Sequence, residues 1–321
     1  MRNLEIRDLV QYPEGGIIEL GVADSTNNIF FNRELEHLIP ELIETELAKH
    51  SARMIMPVDM SFKSTAKRIT YRQMTRVGAA KIISDYANDV PLVNLYREEF
   101  TGNVRTLAAG AQYSIDEIEE AQEMGVSLPT EDAYAAKEAI DKLENDIAFE
   151  GDATHGLVGL LTAANVPQTT VANPGSGTTW AVKTGVQMGA DMFACIDAIP
   201  AATAEVENPT ELWIAPNQYR LASRTQYNAG TDTTVLEYFK RNAGNITAVR
   251  PVRELDGAGP GGEDMMIACE PVKSKFRLCV VMEITAIPEQ AKQLAIQVIW
   301  RKKTGGVRVI KPLSIHKCIG I

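Results

Sequence analysis

The side chains whose type and spacing could do chemistry in this sequence are the charged ones, and the chemistry they suggest is recognition between surfaces. Residues 51–82 carry Arg53, Lys63, Lys67, Arg68, Arg72, Arg76 and Lys81 against Asp59 alone. Residues 114–152 carry thirteen carboxylates, among them Glu131, Asp132, Glu138 and Asp141, against Lys137 and Lys142. Complementary fields of this kind speed docking and fix its register. Within the basic segment the alternation is that of an extended strand. Ile69, Tyr71, Thr75 and Val77 fall on one face and Arg68, Thr70, Arg72, Met74 and Arg76 on the other. Lys63, Lys67, Arg68, Arg72 and Arg76 are therefore candidate contacts to a neighbouring subunit. Glu131, Asp132, Glu138 and Asp141 are the candidates on the acidic side. Two solvated faces that never meet is the plainer reading of the same charges.

Reaction chemistry finds no support. Gly175-Ser176-Gly177 begins like a dinucleotide-binding turn, but Trp180 stands where a third glycine must let the helix pack closely, and no strand leads in. Lys183-Thr184 has no glycine-rich loop ahead of it to cradle phosphate. The glycine run 257–262 reads as a mobile surface loop. The helical carboxylates read as a solvated face. Cys195, Cys269, Cys279 and Cys318 form no C-x-x-C pair, and His37, His50, His155 and His316 lack ligand spacing. No catalytic residue, cofactor or metal is expected, and the thiols are expected to be reduced.

The elements that must position these charges announce themselves unequally. Residues 1–31 show little periodicity and read as an extended arm, followed by a short helix on Leu35, Leu38 and Leu42 that Pro40 should kink. Ser114 and Glu117 form a capping box, flanked by Tyr113 and Ile118. A second helix is expected after Pro129, capped by Thr130, striped by Ala133, Ala136, Ile140, Leu143 and Ile147, and ended at Gly151 after about five turns. Helices are also expected over 182–199 and 234–241. Strands are expected at 211–215, 246–252, 264–269 and 276–287, with a closing hairpin of 294–300 and 307–311 joined by 301–306. One long helix among many strands makes the chain α+β.

Composition sets the outer bounds. The 321 residues are 45% hydrophobic, with 42 acidic and 32 basic side chains and a net charge of -10. A chain of this length buries its own core without disulfide or metal staples. Its acidity argues against coating nucleic acid, which needs Lys and Arg in excess. The most apolar stretch, 278–287, is interrupted by Glu283 and too short to span a membrane, and 1–11 lacks the apolar core of a signal peptide.

The order of these parts resembles the tailed-phage major capsid protein family, with the Hong Kong phage-type shell fold shared with encapsulins. The resemblance is carried by the arm, the basic region, Tyr113-Ser114-Ile115-Asp116-Glu117-Ile118 and the helix ending Asn145-Asp146-Ile147-Ala148-Phe149-Glu150-Gly151. It continues through Gly156-Leu157-Val158-Gly159-Leu160-Leu161, Leu212-Trp213-Ile214-Ala215-Pro216 with Tyr219, and 301–312. It implies an N-terminal arm (1–50), an extended loop (51–85), and a peripheral domain with a long spine helix and a β-sheet (86–155 and 271–311). An axial domain (156–270 and 312–321) completes the fold. It further implies a non-enzymatic shell protein that assembles with itself into pentamers and hexamers around double-stranded DNA. Scaffolding, portal and decoration proteins would be further partners, no membrane is involved, and the product is a virion capsid built in the bacterial cytoplasm. An encapsulin-type compartment and a cytosolic α+β enzyme are the alternatives. No long charged helix precedes the arm, so a fused scaffold is not expected. Some relatives weld subunits through a Lys to Asn bond, and Lys63 and Lys67 lie in the corresponding region, with no partner Asn evident.

Overall fold

Helical and strand periodicities resolve into six helices and fifteen strands among the residues that the computed structural model describes, namely 9–11, 17–19, 50–82, 92–124, 128–175 and 177–321. The chain divides into units 1–48 and 49–321. In the first, β1 (Leu9–Gln11) pairs antiparallel with β2 (Ile17–Glu19). The rest of the expected arm and the helix around Leu35, Leu38 and Leu42 lie outside the described residues.

The second unit begins with α1 (Ala52–Ile55), β3 (Val58–Asp59), β4 (Arg68–Val77), β5 (Asn94–Asn103), β6 (Arg105–Ser114), α2 (Ile115–Met124) and α3 (Leu128–Phe149). There follow β7 (Gly151–Asp152), β8 (Leu157–Val158), β9 (Gln168–Thr170), α4 (Gly185–Thr203), β10 (Glu211–Ile214), α5 (Pro216–Arg224) and α6 (Val235–Asn242). The chain closes with β11 (Ala248–Pro251), β12 (Met265–Cys269), β13 (Phe276–Lys292), β14 (Ala295–Val309) and β15 (His316–Ile319).

Helix α2 starts as the capping box requires: the Ser114 amide donates to Glu117 Oε2 at 2.9 Å and the Glu117 amide to Ser114 Oγ at 3.1 Å. Helix α3 starts earlier than expected, at Leu128, with Pro129 inside its first turn, where a missing N–H breaks no helical bond. Its 22 residues make about six turns rather than five. Gly151 ends it with φ +79, a conformation that costs glycine little. The buried face runs Ala136, Ile140, Glu144, Ile147 and Ala148, whereas Leu143, expected in the stripe, is exposed.

Helix α3 packs on a sheet of order β3-β13-β14-β6 through Leu107, Ile140, Ile147 and Leu157, backed by Ile284 and Trp300. The expected closing hairpin is not found in the form anticipated. Residues 295–309 are one strand, and the reversal lies at Gln293-Leu294, with Gln293 at φ 57. Gly305-Gly306 marks a bulge instead of a turn. Leu278 pairs with Val307 and Val280 with Thr304, so one extra residue is absorbed there, with Gly306 at φ 66.

A second sheet has the order β11-β10-β12-β15-β9. Strand β10 is buried on both faces. Leu212 and Ile214 join α4 and α6 in one core, while Trp213 meets Phe276 edge-on in the other. Helix α4 begins at Gly185 behind a Thr184–Gln187 capping box, after a short 3-10 turn at Trp180–Val182. Helix α5, with Pro216 at its start, was not expected from the sequence.

Candidate assembly surface

The basic strand is half of a ribbon. β4 pairs antiparallel with β5 over ten residues, Arg68 opposite Asn103 through Val77 opposite Asn94, a length of roughly 34 Å. The two-stranded sheet thus reaches past residue 85, into sequence expected to belong to the peripheral domain. Its root is held by Ile69, buried against Cys279 and Val281, and by Tyr71 stacked on Phe100 with ring centroids 5.2 Å apart. Beyond the root the ribbon is exposed on both faces, with Met74, Val77, Leu95 and Tyr96 each more than half accessible. An isolated two-stranded ribbon is marginal in water, and an exposed strand edge invites pairing.

Lys63, Lys67, Arg68, Arg72 and Arg76 are all exposed, and Lys67 and Arg68 line a shallow cleft with Arg105 and Lys303. The face is less uniformly basic than one strand suggests. Arg72 Nε lies 2.6 Å from Glu99 Oε1 across the ribbon, an exposed pair that adds little stability. The partner strand was missed in the sequence because Arg97, Glu98 and Glu99 separate Leu95 and Tyr96 from Phe100 and leave no period-2 alternation. Those aromatic residues in a run bounded by Asn94 and Gly102 were the available signal.

The acidic helix likewise differs from a solvated face. Glu144 is 1% exposed and accepts from Lys302 Nζ at 2.7 Å and from Arg53 Nε at 2.6 Å. Asp141 accepts from the same Lys302 at 2.7 Å, and Arg53 also reaches Glu283. Burial lowers the Arg53 pKa, but its hydrogen bonds to Glu144 and Glu283 outweigh this and hold it above the ordinary value. Next to them Asn145 accepts from the Ala52 amide at 3.0 Å and donates to Glu254, which accepts from Ser51 Oγ. These bonds fasten α1, α3, β13, β14 and the 253–255 turn to one another. Asp141 is thus occupied within its own chain, Glu138 is partly exposed, and the side chains of Glu131 and Asp132 lie outside the described residues.

A second buried network ties the two sheets. Glu207 accepts from Lys275 at 2.5 Å and from Lys311 at 2.6 Å, and Lys275 also meets Glu270. Burial raises the Glu207 pKa, and the two lysines more than reverse this, leaving it below the ordinary carboxylate range. Lys183, considered above for phosphate binding, is buried on Asp191 at 2.6 Å, which also accepts from Trp180 Nε1 at 3.0 Å. The glycine run at 257–262 is organised by Asp264, which accepts from the Gly257 amide at 2.9 Å.

The nearest approach to a nucleophilic cluster is Cys318 with His316, joined through Thr169 Oγ1 at 3.4 Å and 2.9 Å. Cys195 adjoins it, its thiol pushed up by burial. Cys195, Cys318 and His316 are all buried within the second sheet and α4, so a substrate has no access to them. Among the described residues no group of three or more His, Cys, Asp or Glu side chains is placed to hold a metal ion, and no helix is long and apolar enough to cross a membrane.

A long helix lying across one sheet, a second sheet beside it and an exposed ribbon rooted in the first define an α+β fold. The capsid of Myoviridae Phage XM1 matches it with a TM-score of 0.80 at 17% identity, over 92% of this chain and 100% of that one. The capsid of an empty GTA particle matches at 0.61 and 12% identity, over 90% and 96%. A virus-like particle from Pyrococcus furiosus matches at 0.51 and 12% identity, over 83% and 91%. No curated protein matches the sequence. A family model for major capsid protein matches residues 78–321. The chain belongs to the major capsid protein family, and its role is that of a structural component of a capsid shell.

Proposed function

We propose that copies of this chain associate through the β4–β5 ribbon into pentamers and hexamers and close an icosahedral shell around double-stranded DNA, as the head of a tailed phage or prophage. The observation that carries this reading is the ribbon. Ten residue pairs expose apolar and basic side chains on a two-stranded sheet with little core of its own, in a chain of the major capsid family. Burying that surface on a neighbour supplies the stability the ribbon lacks alone. Residues 86–155, apart from the ribbon strand β5, and 271–311 serve as the peripheral domain, and 156–270 with 312–321 as the axial domain near the symmetry axes. Assembly takes place in the bacterial cytoplasm, with portal, scaffolding and decoration proteins as the further partners. DNA is enclosed without sequence-specific binding, in keeping with the net charge of -10.

Arg68, Arg72 and Arg76 on one face of β4 steer this association toward acidic surface on the neighbour. Replacing all three with Glu is expected to abolish shells in electron micrographs while circular dichroism retains the native helix content. Normal shells from the triple variant would refute the steering role.

A further inference from the structure

Arg308 lies on β14 at the root of the ribbon and is 8% exposed. Lys183, Lys275 and Lys302 are buried cations that each rest on a carboxylate. Arg308 has none among the described residues. Its Nη2 donates to the Asn103 carbonyl oxygen at 3.3 Å, and its Nε is buried without an acceptor. The guanidinium lies over Gly102, where an added Cβ would fall 1.5 Å from Nη2, so a side chain there would displace it. Burial lowers the Arg308 pKa, partly opposed by Cys279 and Tyr71. A buried cation held by one neutral acceptor is costly and calls for an anion.

The same arginine lines an open cleft of about 440 Å³, bounded by Tyr71, Phe100 and Thr101 of the ribbon and by Asn165 and Pro312. That is the size of clefts that admit a small ligand or a few side chains. The planar fork of arginine fits a carboxylate better than any other common anion of protein surfaces. We propose that this cleft is a socket for an Asp or Glu side chain of a second copy of this chain, clasped by Arg308 when subunits associate. The occupant is a second copy because the socket wall is the ribbon itself, so a docked neighbour covers both at once. A second copy also presents exposed carboxylates, Asp116, Glu119, Glu120 and Asp146 among them. This inference rests on the assembly reading above.

Arg308→Met keeps an unbranched apolar stem and removes the guanidinium with its charge. The unassembled variant is expected to melt at or above the wild-type temperature, while the protein concentration needed to form shells rises at least about tenfold. An unchanged threshold would overturn the socket. If the variant does not fold, electron cryomicroscopy of wild-type shells decides. A carboxylate of the neighbouring copy within about 4 Å of the guanidinium supports the socket. A solvent-filled cleft, a nucleic-acid phosphate or a carboxylate from residues 1–49 of the same chain overturns it and leaves the assembly reading intact. A wild-type chain that never forms shells would overturn both.

Discussion

Glu144 shows at the scale of one residue how a charge enters a core. It occupies a position on the buried face of α3 where helical periodicity calls for an apolar side chain, and two cations compensate it. Removing one member of such a set leaves a buried charge without its counter-ion, which typically costs about 3–5 kcal/mol. Glu144→Gln is therefore expected to destabilise the unassembled subunit by about 3 kcal/mol in urea denaturation, because Lys302 keeps only the partly exposed Asp141. Lys302→Met is expected to cost less, since Glu144 retains its bond to Arg53. A loss below about 1 kcal/mol for Glu144→Gln would show that the network is dispensable. None of this pairing is readable from spacing. Arg53 and Lys302 are 91 and 158 positions from Glu144, and a carboxylate on a helix looks the same in sequence whether it meets water or a lysine.

At the scale of elements, the ribbon draws little support from its own chain beyond its root. Its backbone bonds run between two strands with exposed faces, so its amides are expected to exchange with deuterium rapidly in unassembled subunits and at least about tenfold more slowly in shells. Equal exchange in both states would remove the ribbon from the interface. Elements with local signals were legible in the sequence. The capping box of α2 and Gly151 at the end of α3 depend on residues a few positions apart. Strands β5, β6 and β15 were not, because their pattern is set by partners distant in sequence. Gly305-Gly306 suggested a turn when it is a bulge, since glycine marks an unusual backbone without saying which kind. Of the candidate contacts on the basic side, Arg68, Arg72 and Arg76 lie on the exposed strand β4, with Lys63 and Lys67 exposed ahead of it. The acidic side was not separable by sequence, because burial and solvent exposure alternate along the same helix.

At the scale of the whole molecule, a net charge of -10 conceals a division of labour. Part of the charge is consumed inside the chain, where Glu144, Glu207 and Asp191 each hold lysines in buried pairs that fix helices and sheets together. The exposed remainder, including Arg68 and Arg76 on the ribbon, is available to neighbours, and at its root the buried Arg308 meets no carboxylate among the described residues. A unit carrying an under-supported ribbon and a surplus of surface charge is suited to completion by copies of itself. Electron microscopy of the purified wild-type chain, alone and with a scaffolding protein, tests this most directly. Capsomers or closed shells of uniform diameter are expected; compact monomers under every condition of concentration, salt and scaffold would refute assembly into a shell.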